Sequence, residues 1–240
     1  MEAKSAFGRK NRPHYQTKQQ MAYEIIRSNI LDGTYKPQEH LVVSKLIDEI
    51  GISTIPIREA LKQLEAEGLV KSYQHKGVQV VLYSPEEFEH LYMIRALLEG
   101  LAGRLGTERI TEAGIGQMKK ILEKMELVLK KGNLGEKIQT LTPLNLEFHQ
   151  ILYQAANCQQ LLKMITNLRD NTHNNVYVSL APKHIPGYLE RDHIHHTEIL
   201  NAVTARLPEL VEQLLKDTIN NTGKVMTEYL KNPANFSDEK

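Results

Sequence analysis

The 240-residue chain has one cysteine, Cys158, and no tryptophan. A lone thiol can neither close an internal disulfide nor build a thiolate metal knuckle, so any metal would rest on His, Asp, Glu or Asn. Aromatic residues make up 6% of the chain, too few for the stacking platform on which single-stranded nucleic acid is bound. No run approaches the roughly 18 uncharged apolar residues of a membrane span. The opening MEAKSAFGRKNRPHYQT is polar and basic, without the apolar core of a signal peptide. These absences imply a cytosolic protein with no membrane partner. No HExxH motif, catalytic carboxylate pair or nucleophile elbow appears either, which argues against an enzyme. What is present, 41% hydrophobic and 25% charged residues, suffices for one or two domains with cores and excludes disorder and fibrous repeats.

Charge is unevenly spread. Residues 1–83 carry 12 Lys and Arg against 9 Asp and Glu, and the remainder 18 against 20. Six basic and two acidic side chains fall within residues 1–31. That is a mild footprint for a phosphate-bearing partner, although a disordered basic tail beside a neutral domain has the same charge. Residues 1–16 are read as such a tail.

Apolar spacing supplies the elements. Ala22, Ile25, Ile26, Asn29 and Ile30 keep the rhythm of an amphipathic helix that Gly33 stops, and Val42, Val43, Leu46, Ile47 and Ile50 form a second that ends at Gly51. Ile52 and Ser53 separate it from Ile57, Ala60, Leu61 and Leu64, a third helix that Ser53 can cap and whose first turn tolerates Pro56. Two helices on a tight Gly-containing turn make a helix-turn-helix candidate. Over residues 70–83 the period changes to two around Gln74-His75-Lys76-Gly77, which predicts a β-hairpin. Residues 17–83 thus describe a winged helix-turn-helix whose third helix would enter a DNA major groove.

Ser84-Pro85-Glu86-Glu87 is a capping box with Pro at the first helical position, so a second domain, 84–232, starts there. Only helical periodicity follows. Phe88, Leu91, Ile94, Leu98, Leu101 and Leu105 form one stripe, Ile115, Met118, Ile121, Leu122, Met125 and Leu129 a second, and Leu144, Phe148, Ile151 and Leu152 a third. Further helices are expected around residues 161–176, 194–203 and 210–229. Thr142-Pro143 reads as a cap-plus-Pro pair that splits residues 136–156 at a bend, while Pro182, Pro186 and Gly187 mark the longest break. The expected fold is mostly α: an N-terminal winged helix-turn-helix plus a C-terminal antiparallel all-α six-helix bundle.

The run Gly51-Ile-Ser-Thr-Ile-Pro-Ile-Arg-Glu-Ala-Leu61, with Leu64, Glu67-Gly-Leu-Val70 and Lys76-Gly77-x-x-Val80, resembles the winged-helix domain of GntR-family transcription regulators. Arg95-x-x-x-Glu99, Asn145-x-x-Phe148-His149, Ala156-Asn157 and His196-x-x-Ile199-Leu200-x-Ala202-Val203 resemble the helical effector (FCD) domain of its FadR branch, in the shorter VanR-like version. The turn into the recognition helix departs from the family's Ser-Arg-Thr-Pro-Val-Arg, reading Ser53-Thr54-Ile55-Pro56-Ile57-Arg58. The resemblance makes Arg58 a DNA contact, and a guanidinium can take a phosphate or the guanine O6/N7 edge bidentately. The alternative is a surface salt bridge to Glu59 or Glu65. Ser53 and Thr54 would hold phosphate at the helix N-terminus. His75, Lys76 and Gly77 would lie at the wing tip against the backbone or minor groove.

In the family the bundle often holds a metal on one Asp and three His, and that metal helps bind a small carboxylate effector. The corresponding positions here are Asn145, His149, His196 and Thr218, so two of the four ligands are replaced. Asn145 and His149 still share a helix face at i, i+4, but a neutral amide oxygen is a weaker ligand than a carboxylate. His193 and His195 offer a shifted site for a zinc- or nickel-type ion. Without metal, Asn145, His149 and His196 would bind an effector directly. Arg95 either pairs with Glu99 or presents its guanidinium to an acidic ligand, and Arg169, Asn174 and Asn175 are weaker candidates. The resemblance implies a homodimeric repressor that binds palindromic operator DNA and responds to a small organic acid. The alternatives are a DNA-binding dimer with a vestigial ligand domain and a metal-dependent hydrolase.

Overall fold

A computed structural model of the chain describes residues 16–74, 77–173 and 187–231. Among them stand nine helices and one three-stranded sheet, arranged as a winged helix-turn-helix followed by a helical bundle. His75, Lys76, Asn174, Asn175, Pro182, Pro186 and residues 1–15 of the basic tail lie outside the described residues.

Helix α1 (Lys18–Leu31) is capped by Thr17, whose side chain accepts from the Gln20 amide, and it buries Ala22, Ile26 and Ile30 one turn apart. Helix α2 (Val43–Ile50) ends on Gly51 at φ 72°. That left-handed conformation reverses the chain into α3 (Thr54–Ala66) within two residues. Every position that spacing assigns to the inner face of α3, Ile57, Ala60, Leu61 and Leu64, is buried. Those side chains pack on α1, with Leu46, Leu69, Val70 and Val80 closing the core.

The hairpin is shorter than expected. Its strands are β2 (Val70–Tyr73) and β3 (Gly77–Val80), and residues 81–83 leave the ladder. A further strand, β1 (His40–Leu41), pairs antiparallel with β3, His40 opposite Gln79, giving the order β1-β3-β2. Two residues carry no alternation, so spacing could not announce it.

The bundle opens with α4 (Pro85–Arg109), where Ser84 Oγ accepts from the Glu87 amide at 3.2 Å and Glu87 Oε2 accepts from the Ser84 amide at 2.8 Å. It continues through α5 (Glu112–Leu129), α6 (Leu134–Ala155), α7 (Gln159–His173), α8 (Tyr188–Thr204) and α9 (Pro208–Lys231). Its core runs through Met118, Phe148, Leu152, Ile199, Val203, Val211 and Leu215.

Two expectations change here. The break at Thr142-Pro143 is absent, because Pro143 lies inside a continuous α6. Gln139, whose carbonyl loses its amide donor, is exposed to water, and Thr142 Oγ1 donates to the Ile138 carbonyl at 2.8 Å. The leucine-rich stripe is only part of the inner face of α4: Phe88 is buried, and Leu98, Leu101 and Leu105 pack partly buried against the core. Ile94 is 45% exposed, while Ala96, Gly100, Ala102, Gly103 and Gly106 are buried. These small residues let neighbouring helices approach: a methyl at Gly106 would overlap the Leu152 carbonyl oxygen of α6, and one at Gly103 the Leu215 side chain of α9.

Gly106→Ala should therefore destabilise the chain by about 1–3 kcal/mol, the usual cost of overpacking. Gly116→Ala on α5, where a methyl meets nothing, should stabilise it by about 0.5–1 kcal/mol. Urea unfolding of the two variants reads the contrast, and a neutral Gly106→Ala would contradict the close α4–α6 contact.

Candidate functional site

Two regions gather the residues singled out above. The first is the outer face of α3. Ser53 occupies the N-cap position, but its side chain makes no capping hydrogen bond. Its hydroxyl and the first amides of α3 can therefore meet an anion. Ile55 is 72% exposed, more than any other large hydrophobic among the described residues. Arg58, Glu59 and Lys62 are exposed three, four and seven positions further on, sharing its face. Glu65, one of the two carboxylates offered to Arg58, accepts instead from the Ser72 amide at 2.7 Å and the Ser72 hydroxyl at 2.8 Å. Gly77 opens β3 with φ 81°. Sequence reasoning did not single out Ile55, although an isoleucine on the polar face of a predicted helix was the available signal.

The second region is a polar network inside the bundle. Glu99 of α4 is 1% exposed. One of its oxygens accepts from Arg95 Nε at 2.8 Å; the other accepts from the Tyr153 hydroxyl at 2.9 Å and lies 3.5 Å from Arg169 Nη1. Burial alone would raise the Glu99 carboxyl, but Arg95 and Arg169, with the Tyr153 hydroxyl, outweigh it and hold the group below the usual carboxylate range. Arg95 also donates through Nη1 to Thr172 Oγ1 at 3.0 Å and lies over the Tyr92 ring. Of the two roles open to Arg95, the geometry shows the pairing with Glu99.

Arg169 is less committed. Besides Glu99, its Nη2 reaches Asn145 Oδ1 at 3.5 Å. The Asn145 amide donates to Asp192 Oδ2 at 3.2 Å. His196, 2% exposed, donates through Nδ1 to the Asp192 carbonyl at 2.6 Å, and its Nε2 is buried without a partner among the described residues. The Tyr153 proton is directed at Glu99, so its oxygen accepts from His149 Nδ1 at 3.3 Å. The two imidazoles lie 4.9 Å apart, with Phe148 edge-on to both. The structure thus brings Arg95, Asn145, His149 and His196 into one cluster. It adds Glu99, Tyr153, Arg169, Thr172 and Asp192, of which sequence reasoning names Glu99 only as a partner and Arg169 only as a weak candidate.

These residues do not fit the family's metal. Among the described residues no three His, Cys, Asp or Glu side chains are placed to share an ion, and a zinc site takes three or four protein ligands. The Asn145 oxygen faces the Arg169 cation, and His195 turns to Glu198 at 3.3 Å. His193 belongs to no such group either, so among the described residues the shifted site is not assembled.

Two family models match the chain: Bacterial regulatory proteins, gntR family, over residues 18–80, and FCD domain over residues 90–221. The chain is 28% identical over 171 residues to the uncharacterized HTH-type transcriptional regulator YdhC of Bacillus subtilis, spanning 71% of this chain and 75% of that one. It is 28% identical over 218 residues to the Glc operon transcriptional activator of Escherichia coli, spanning 84% and 85%. The solved structure of E. coli McbR/YncC superposes with a TM-score of 0.73 over 90% of this chain and all of that one, at 21% identity, a likeness of fold. No helix among the described residues is long and apolar enough to cross a membrane.

Burial first, then His196, Arg169 and Arg95, push His149 well below its ordinary 6.5. The unfolded chain takes up a proton near that value while the folded chain does not. Stability should thus fall as the pH drops below about 6.5, by up to about 1.4 kcal/mol per unit. His149→Gln should flatten this slope between about pH 7 and 5 in chemical denaturation, and an unaltered slope would contradict the buried neutral imidazole.

Proposed function

The chain belongs to the gntR family of bacterial regulatory proteins, with an FCD domain behind its helix-turn-helix, and on that premise we propose a repressor whose bundle binds a small carboxylate and thereby alters operator binding. The coarser function follows from the family: it is a DNA-binding transcription regulator and not an enzyme. Regulators of this type bind operator DNA as dimers. In the proposed homodimer a second copy covers the exposed Met93, Ile94 and Leu97 of α4, and the protein works in the cytoplasm, beside the DNA.

On the DNA side, Arg58 reads a guanine edge or a phosphate, Ser53 and Thr54 hold phosphate, and Ile55 lies against a thymine methyl. The wing residue Gly77 approaches the backbone, with His75 and Lys76 assigned there by the resemblance. On the effector side one observation carries the reading. Arg95 commits Nε and Nη1 to Glu99 and Thr172, whereas Arg169 holds its partners only at 3.5 Å, beside a His196 whose Nε2 is buried and unpartnered. A carboxylate would take Arg169, and a hydroxyl on the same molecule would donate to His196 Nε2. Asn145 and His149 complete the walls. The ligand class is therefore a hydroxy acid, bound without metal.

Operator titrations test both halves. The duplex is one selected by the wild-type protein from a random pool, and the ligands are a panel of hydroxy and dicarboxylic acids. Arg58→Ala should cost about 1–3 kcal/mol of specific binding. At least one acid should change wild-type affinity, and Arg169→Gln should bring the ratio of affinities with and without that acid to one. Unchanged binding by Arg58→Ala would refute the recognition face. A panel without effect would leave the bundle as a dimerisation device. Transcription from a template bearing the duplex reads the sign of control.

A further inference from the structure

The last turn of α7 touches both halves of the molecule. Arg169 and Thr172, three residues apart and on one face, reach into the network at Glu99, Asn145 and Arg95. The two residues between them point the other way. Asp170 forms an ion pair with Arg27 of α1, and Asn171 Nδ2 donates to the carbonyl of Glu67 at 2.8 Å. Glu67 is the C-cap residue of the recognition helix α3, and its carboxylate accepts from Tyr23 of α1 at 2.7 Å. Asn171 is 7% exposed and Asp170 partly buried, so these contacts form a packed joint.

We propose that this turn is the relay by which the bundle pocket controls the orientation of the DNA-binding part. Four consecutive residues on one helical turn cannot move independently, because their backbone amides and carbonyls are tied to the turn before. A change in the partners of Arg169 alters the position of Asp170 and Asn171 against α1 and the end of α3. The orientation of α3 relative to the bundle fixes the spacing of two recognition helices in a dimer, so the joint sets operator affinity. The proposal rests on the pocket reading for the identity of the signal, but the joint itself is defined without any ligand.

A double-mutant cycle without effector tests it. Operator affinity is measured on the selected duplex for the wild type, Arg169→Gln, Asn171→Ala, Arg27→Gln and the two double variants carrying Arg169→Gln. Melting temperatures confirm that each is folded, and Arg27→Gln is the milder probe of the joint because its side chain is partly open to water. Arg169→Gln should change affinity by roughly 3- to 30-fold in the wild-type background, the span of coupling energies between linked sites. That factor should fall to near one in both joint variants. The same factor in all three backgrounds, or no factor in the wild type, would overturn the relay. Because no acid is present, a failed cycle leaves the pocket reading standing, and a failed acid panel leaves the relay standing.

Discussion

A carboxylate shut away from water costs several kcal/mol unless cations and hydrogen bonds replace its hydration. Glu99, 1% exposed, meets that condition through Arg95 on its own helix, Tyr153 from α6 and Arg169 from α7. Three helices are thereby pinned to one charge. Removal of any partner would leave a buried ion under-compensated, so the network specifies the mutual positions of α4, α6 and α7 more sharply than apolar packing alone. The small residues of α4 add to this, since they let α6 and α9 approach it closely.

The polar cluster inside the bundle acquires its chemistry from this arrangement. Arg95 is locked in place and leaves Arg169 as the looser cation, while His149 and His196 stay on the inner wall beside Phe148. An anion can compete for a guanidinium held at 3.5 Å far more readily than for one held at 2.8 Å. Arg169 in turn sits one residue from the contacts that join α7 to α1 and to the end of α3. The buried ion pair is thus one helical turn and one hydrogen bond away from the end of α3.

Features that depend on neighbours along the chain are legible in the amino-acid sequence itself. Ile57, Ala60, Leu61 and Leu64 are all buried, Gly51 turns the chain where a glycine is needed, and Ser84 with Glu87 closes a capping box. Each is decided within one or two turns of chain. The stripe on α4 is incomplete because leucine spacing does not mark close helix contacts: Phe88 is buried and Leu98, Leu101 and Leu105 pack on the core, but Ile94 is exposed and the closest approaches fall on Ala and Gly. Pro143 reads as a break when its cost is set against a buried helix, and this stretch of α6 is open to water. Asn145, His149 and His196 stand out by motif, but the residues that give them meaning, Tyr153, Arg169, Thr172 and Asp192, come from separate helices with no shared spacing. Asn171 and Asp170 are invisible to spacing for the same reason, since their partners lie more than 100 residues away.

The interior proposed here is an anion site beside a buried carboxylate and not a metal centre. Elemental analysis of the natively purified protein, beside its His149→Ala and His196→Ala variants, tests it most directly. An anion site should show well under one zinc, nickel or other divalent ion per chain in all three. One metal per chain in the wild type, lost in both variants, would contradict it.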